Sequence, residues 1–252
     1  MRVLLLGGTA EARALAELLH PKVDIISSLA GRVPNPALPV GPVRIGGFGG
    51  VEGLRTWLTE SGVTAVVDAT HPFAATITAH AASACAELDM PYVVLNRPPW
   101  DPAGATVVAT DTEAAAIIAA KGYSRVFLTT GRSGVAAFAD SDAWFLIRVV
   151  TAPDVAVLPP NHELVLSRGP YRYEDESELF RSRGIEVLVT KNSGGALTRA
   201  KLDAARALGV DVIVIERPSL PAGVQVVDSV QEAVRWAEAS QADPAGTTHS
   251  TG

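Results

Sequence analysis

The chain has 252 residues, 48% apolar and 19% charged, which suits one large or two small soluble domains with ample core. A formal charge of −6 leaves no basic stripe for general nucleic-acid binding, although a local arginine cluster can still serve an anionic ligand. The single Cys85 excludes a disulfide within the chain and any cysteine-based zinc site; no apolar run approaches the ~18 residues of a membrane span, and cytoplasm is the expected compartment.

Val3–Leu6 reads as a strand rather than a signal peptide, because its short apolar run enters a glycine turn and a charged helix, Ala10–Leu19. The corner is Leu6-Gly7-Gly8-Thr9-Ala10-Glu11-Ala12-Arg13. A strand that turns through glycines into a helix aims backbone N–H groups and the positive end of the helix dipole at an anion, usually a phosphate. The spacing is not that of G-x-G-x-x-G, since the glycines are adjacent and Ala12 stands in the last place. A tight turn without a ligand is the alternative. The second strand, Val23–Ser27, ends in Ser27-Ser28-Leu-Ala-Gly31-Arg32. Where dinucleotide folds often place an acidic residue for the ribose 2′-hydroxyl, this chain offers hydroxyls and Arg32, which suit a 2′-phosphate and so NADPH. Arg32 as a solvated loop residue stays open.

A strand at Val43–Ile45 and a helix at Glu52–Glu60 lead to the strand Ala65–Asp68 and the run Asp68-Ala-Thr-His-Pro-Phe-Ala74. The carboxyl end of a buried parallel strand is where ligands bind, which singles out Thr70 and His71. Pro72 is expected in the first turn of a helix over Phe73–Leu88, where its missing N–H costs nothing. His71 can donate or relay a proton, orient a ligand, or cap its own helix. Cys85, mid-helix among alanines, is expected to be buried.

Strands follow at Tyr92–Leu95, Thr106–Val108, Val126–Thr129, Trp144–Val149, Leu164–Ser167, Val187–Thr190 and Val212–Ile215. Helices alternate with them at Glu113–Ala120, Glu174–Arg183, Leu197–Leu208 and Val230–Ala239. Strands that are apolar throughout are buried on both faces, so the class is α/β with parallel sheets flanked by helices. Eleven strands are too many for one comfortable open sheet. We therefore expect two Rossmann-like units with a cleft between them: residues 1–115 as a cofactor-binding domain and 116–240 as a second α/β domain. A disordered tail is expected over 241–252.

In the later half, cations recur after strands: Thr129-Thr130-Gly131-Arg132, Ser167-Arg168-Gly169-Pro170 and Lys191-Asn192-Ser193-Gly194-Gly195. In a parallel sheet all three lie along one edge, and arginine forks with glycine-rich nests suit carboxylates or phosphates. His20, His80, His162 and His249 show no metal-ligand spacing, and no metal is expected. There is no Gly-x-Ser-x-Gly elbow, P-loop, His-Glu-x-x-His or Tyr-x-x-x-Lys.

These corners resemble the precorrin-6A reductase family of the cobalamin pathway. The matching pieces are Gly7-Gly8-Thr9-x-Glu11-Ala12-Arg13, Asp68 to Ala74, Thr130-Gly131-Arg132 and Lys191-x-Ser193-Gly194, in family order. The resemblance implies an NADPH-dependent oxidoreductase acting on one carbon–carbon double bond of precorrin-6A, giving precorrin-6B. It implies cofactor contacts at Gly7, Gly8, Thr9, Glu11, Arg13, Ser28, Arg32 and Thr70, with Thr70 and His71 beside the nicotinamide. Substrate contacts would fall on Arg132, Arg168, Lys191, Ser193 and Gly194, and product would pass to neighbouring pathway enzymes. Two other readings share the corners: a non-catalytic dinucleotide-sensing module, and an NADPH reductase of another anionic substrate.

Overall fold

Twelve strands and seven α-helices alternate along the described residues, 2–31 and 36–242, of the computed structural model. They form two six-stranded parallel sheets in two units, residues 1–97 with 219–252, and 98–218. The first unit holds β1 (Arg2–Leu6), α1 (Ala10–Leu19), β2 (Asp24–Leu29), β3 (Val43–Ile45), α2 (Gly50–Glu60) and β4 (Ala65–Asp68). It continues with α3 (Ala75–Glu87) and β5 (Tyr92–Leu95), and is completed at the end of the chain by β12 (Gln225–Val227) and α7 (Val230–Ala242). Its strand order is β12-β5-β4-β1-β2-β3.

The all-apolar strands follow from this layering. Successive side chains of β1 point to opposite faces. Val3 and Leu5 pack with Leu15 and Leu19 of α1 and Ala233 and Ala237 of α7, while Leu4 and Leu6 pack with Leu54 and Leu58 of α2 and Ala81 and Ala84 of α3. Both faces are covered, so alternation would leave polar groups buried. The face of α1 that meets the sheet is Ala12, Leu15, Ala16 and Leu19, the helical i, i+3, i+4, i+7 set.

The second unit holds β6 (Thr106–Val108), α4 (Asp111–Lys121), β7 (Arg125–Thr129), a 3₁₀ helix (Arg132–Phe138), β8 (Trp144–Val149) and β9 (His162–Leu166). It ends with α5 (Tyr173–Arg183), β10 (Val187–Lys191), α6 (Ala200–Leu208) and β11 (Asp211–Ile215). Its order is β6-β11-β10-β7-β8-β9. Phe127, Leu146 and Leu188 form its core with Phe180 of α5 and Ala204 and Ala205 of α6.

The α/β class and the two Rossmann-like units agree with the sequence reading, but the division of the chain differs. The expected break near residue 115 falls instead after Arg97, because Thr106 to Val108 pair with Ile213 to Ile215 of the second sheet. The expected second domain to residue 240 stops at Pro218, because Gln225 to Val227 pair with Val93 to Leu95 of the first. Non-local pairing of this kind leaves no trace in local periodicity. Strand β12 itself escapes the sequence reading because it has three residues on a sheet edge, two of them exposed. Helix α3 begins at Ala75, so Pro72 lies in the turn before it rather than in its first turn. Of the expected tail, 241 and 242 continue α7, and residues 243–252 lie outside the described residues. No helix among the described residues is long and apolar enough to cross a membrane.

Candidate functional site

In the first sheet β1 pairs β2 on one side and β4 on the other, so chain order reverses at β1. In open α/β sheets the crevice at such a reversal, beyond the carboxyl ends of the strands, is the ligand site. Both corners singled out in the sequence lie there. Gly8 has φ +111°, a conformation that L side chains rarely adopt, and nothing stands within 4 Å of where its Cβ would be. The backbone can therefore turn with open space before it. Thr9 caps α1, its hydroxyl accepting from the Ala12 N–H at 3.0 Å. The same hydroxyl donates to the Ala69 carbonyl at 2.8 Å, and the Ala69 N–H donates to the Leu6 carbonyl at 2.9 Å. The glycine corner and the Asp68–Ala74 corner are thus stitched into one piece.

Asp68 is 1% exposed and accepts four hydrogen bonds. The Thr70 N–H (3.0 Å) and hydroxyl (2.6 Å) reach Oδ1, and the hydroxyls of Thr78 (2.7 Å) and Tyr92 (3.0 Å) reach Oδ2. A buried carboxylate demands such satisfaction. Burial, with Asp68 beside it, pushes the Tyr92 phenol well above its ordinary pKa, so Tyr92 stays a donor. The same two causes push the buried Cys85 thiol up to about 12, which makes it inert packing. Thr70 has committed its hydroxyl hydrogen to Asp68, so towards a ligand it can only accept. His71 is exposed at the corner, and its Nδ1 accepts from the Phe73 N–H at 3.2 Å. That bond places the proton of the neutral ring on Nε2.

Around the glycines, a small cavity is lined by Gly7, Gly8, Arg13, Ser27, Leu29 and Pro39, among others. The Ser27 hydroxyl, on a residue 1% exposed, has no hydrogen-bond partner among the described residues. The Gly7 N–H donates to the Ser28 carbonyl at 3.0 Å. Arg13 turns back to donate to the Thr9 carbonyl at 3.2 Å. Glu11 pairs with Arg97 at 2.7 Å with both side chains largely covered, so it serves the corner by holding Arg97. Arg32 lies outside the described residues.

Sequence reasoning missed Arg44. It stands opposite Ser28 in the β2–β3 register and donates to the Ser28 hydroxyl at 2.9 Å and to the carbonyls of Gly46 (2.9 Å) and Gly47 (3.0 Å). Its guanidinium lies 3.8 Å from the Phe48 ring centroid. The signal available was a lone cation in a three-residue strand followed by Gly46-Gly47-Phe48-Gly49-Gly50.

In the second sheet all ladders are parallel, so the three cationic corners share one edge of one sheet. Lys191 ends β10 and the Thr130–Arg132 corner follows β7, its neighbour. Arg168 follows β9, two strands further along, so it stands apart from that pair. Arg132 and Arg168 are exposed and form no ion pair among the described residues. The Thr130 hydroxyl is buried with no partner among them. Lys191 lies 4.0 Å from Asp111, at the start of α4, a neighbour that periodicity could not reveal.

The Lys191–Gly195 corner has a structural duty as well. Asn192 brackets Trp100, accepting from its N–H at 2.8 Å and donating to its carbonyl at 3.0 Å. Ser193 donates its N–H to the Lys191 carbonyl at 2.7 Å, tightening the turn. Gly194 has φ +66°, and a Cβ there would collide with the Pro98 carbonyl and the Arg217 guanidinium. The same unit buries charges that its sequence does not announce: an Arg148–Glu176 pair, and Lys201, whose pKa burial and then Arg148 pull down to about 7. An arginine inside the run Trp144 to Val149 was the available signal for a buried partner.

The chain is 72% identical over 235 residues to the precorrin-6A reductase of Mycobacterium tuberculosis, covering 93% of this chain and 96% of that one. It is 54% identical over 244 residues to the precorrin-6A reductase of Rhodococcus erythropolis, again covering 93% and 96%. A solved structure, that of a CobK precorrin-6A reductase, superposes with a TM-score of 0.89 at 39% identity, covering 98% of this chain and all of that one. The family model described as precorrin-6x reductase CbiJ/CobK matches residues 2–238, and the chain belongs to that family of oxidoreductases.

Proposed function

We propose that the chain uses NADPH to reduce precorrin-6A to precorrin-6B in the cytoplasm, binding the cofactor on its first unit and the substrate carboxylates on its second. The observation that carries this reading is the stitched pair of corners at the reversal of the first sheet, in a chain of a reductase family. The open approach to Gly8 and the unpartnered Ser27 hydroxyl fit a polar group entering that corner. The N–H groups of Gly8 and Thr9 and of the first turn of α1 would hold the pyrophosphate, with the Gly7 N–H already tied to the Ser28 carbonyl. Ser28 and Arg32 would take the 2′-phosphate, while Glu11, through Arg97, and Arg13 keep the corner in shape. NADPH, when bound, supplies the hydride.

Thr70 would orient the nicotinamide as an acceptor, and His71, once Nδ1 releases the Phe73 N–H and takes a proton from solvent to form the imidazolium, would give its Nε2 proton to the carbon adjacent to the one that receives hydride and return to the neutral ring. Hydride and proton together saturate one double bond. Arg132, Lys191 and Arg168 would bind the acetate and propionate groups, with Ser193 and Gly194 shaping the turn that presents Lys191. The product would then pass to a neighbouring pathway enzyme. The test is to mix purified full-length protein with NADPH and precorrin-6A and follow nucleotide absorbance and tetrapyrrole mass together. One NADPH consumed per tetrapyrrole reduced is expected. No oxidation, or equal rates with NADH, overturns the reading.

A further inference from the structure

The β3 corner contains an uncompensated cation. Arg44 is half-buried, donates only to neutral acceptors (the Ser28 hydroxyl and the carbonyls of Gly46 and Gly47) and has no ion pair among the described residues. The Phe48 face lies 3.8 Å from it and the Trp57 ring 5.3 Å away. The ring faces attract the half-buried guanidinium but do not neutralise it, and no carboxylate does so among the described residues. Burial indeed pulls the pKa of Arg44 down. A strut needs only hydrogen bonds, which a neutral side chain could give. What Arg44 adds is a fixed positive charge, held beside Ser28 at the carboxyl end of β2.

That place has a chemical meaning once the first corner holds a dinucleotide. The Gly7 N–H is bonded to the Ser28 carbonyl, so the pyrophosphate corner and Ser28 are neighbours. The end of β2 is where the adenosine ribose lies in such folds. Because the Ser28 oxygen accepts from Arg44, its own hydrogen is available to donate outward. We infer that Arg44, acting with the Ser28 hydroxyl it orients, is the specificity determinant that recognises the 2′-phosphate and so makes the site prefer NADPH over NADH. The inference rests on the dinucleotide reading of the first unit and adds a residue to it. Arg44 is anchored on a strand, stacked and oriented before any ligand arrives.

The experiment is calorimetric binding of NADPH, NADH, 2′,5′-ADP and 5′-AMP to the full-length wild type, Arg44→Gln, Arg44→Lys, Ser28→Ala and Arg32→Ala. Each charge-assisted contact to the phosphate should be worth about 10- to 100-fold in affinity. Arg44→Gln should weaken NADPH and 2′,5′-ADP by about 50-fold and leave NADH and 5′-AMP within about threefold. Arg44→Lys should recover part of the loss, and Ser28→Ala should cost NADPH about tenfold. Equal losses for all four ligands in Arg44→Gln would make Arg44 a strut and overturn the inference. So would an unchanged preference in that variant alongside its loss in Arg32→Ala. A wild type that binds NADPH and NADH alike overturns the cofactor reading itself, and this inference with it.

Discussion

The two sheets present their carboxyl edges in opposite styles. In the first unit most of the edge is tied together internally: Asp68 receives four hydrogen bonds, Thr9 joins two corners, and Arg44 is stacked and bonded, although the Ser27 hydroxyl has no partner among the described residues. In the second unit the edge is left open, with Arg132 and Arg168 exposed and the Thr130 hydroxyl unpartnered among the described residues. A rigid corner suits a ligand whose phosphates always dock alike. Long exposed cations suit a macrocycle whose many carboxylates must be gathered one by one, at the cost of ordering those side chains on binding. Mutations should therefore act on stability and cofactor in the first unit, and on substrate alone in the second.

The sharpest way to break this contrast is Asp68→Ala, which strands the donors of Thr70, Thr78 and Tyr92 at a buried site. A loss of about 3–5 kcal/mol is expected in denaturant unfolding, with cofactor binding lost alongside. Gly8→Val forces a β-branched residue to φ +111° and fills the open approach, so NADPH affinity should fall about 100-fold while the fold survives. His71→Ala should lower kcat by about 100-fold with little change in either binding constant, as the loss of a general acid does. Unaltered turnover in that variant would reduce His71 to an orienting residue. Lys191→Ala should raise the dissociation constant of precorrin-6A about tenfold, measured against an unchanged NADPH constant. Smallest of all, Arg132→Ala should shift unfolding free energy by no more than about 0.5 kcal/mol, since its side chain is exposed and unpaired among the described residues. A larger shift would mean the second edge is as built-in as the first.

Much of this was legible in the sequence because it is local. Strand-to-helix corners announce themselves by apolar runs ending in glycine, threonine or proline, and Gly7–Thr9, Asp68–Ala74, Thr130–Arg132 and Lys191–Gly194 were all found that way. What escaped depends on non-local pairing. Arg44 matters because β3 registers Ser28 against it, and nothing in Val43-Arg44-Ile45 alone says so. Thr78 and Tyr92 look like ordinary helix and strand residues until the fold brings their hydroxyls onto Asp68. The outer strands β6 and β12 each pair with a strand more than 100 residues away in the chain, which no window can sense.

The division of labour is tested most directly by measuring NADPH and precorrin-6A binding separately in two proteins, Gly8→Val and the double variant Lys191→Ala/Arg132→Ala. The account predicts that the first loses affinity for NADPH alone and the second for precorrin-6A alone. Losses of both ligands in each protein, or the reverse assignment, would contradict it.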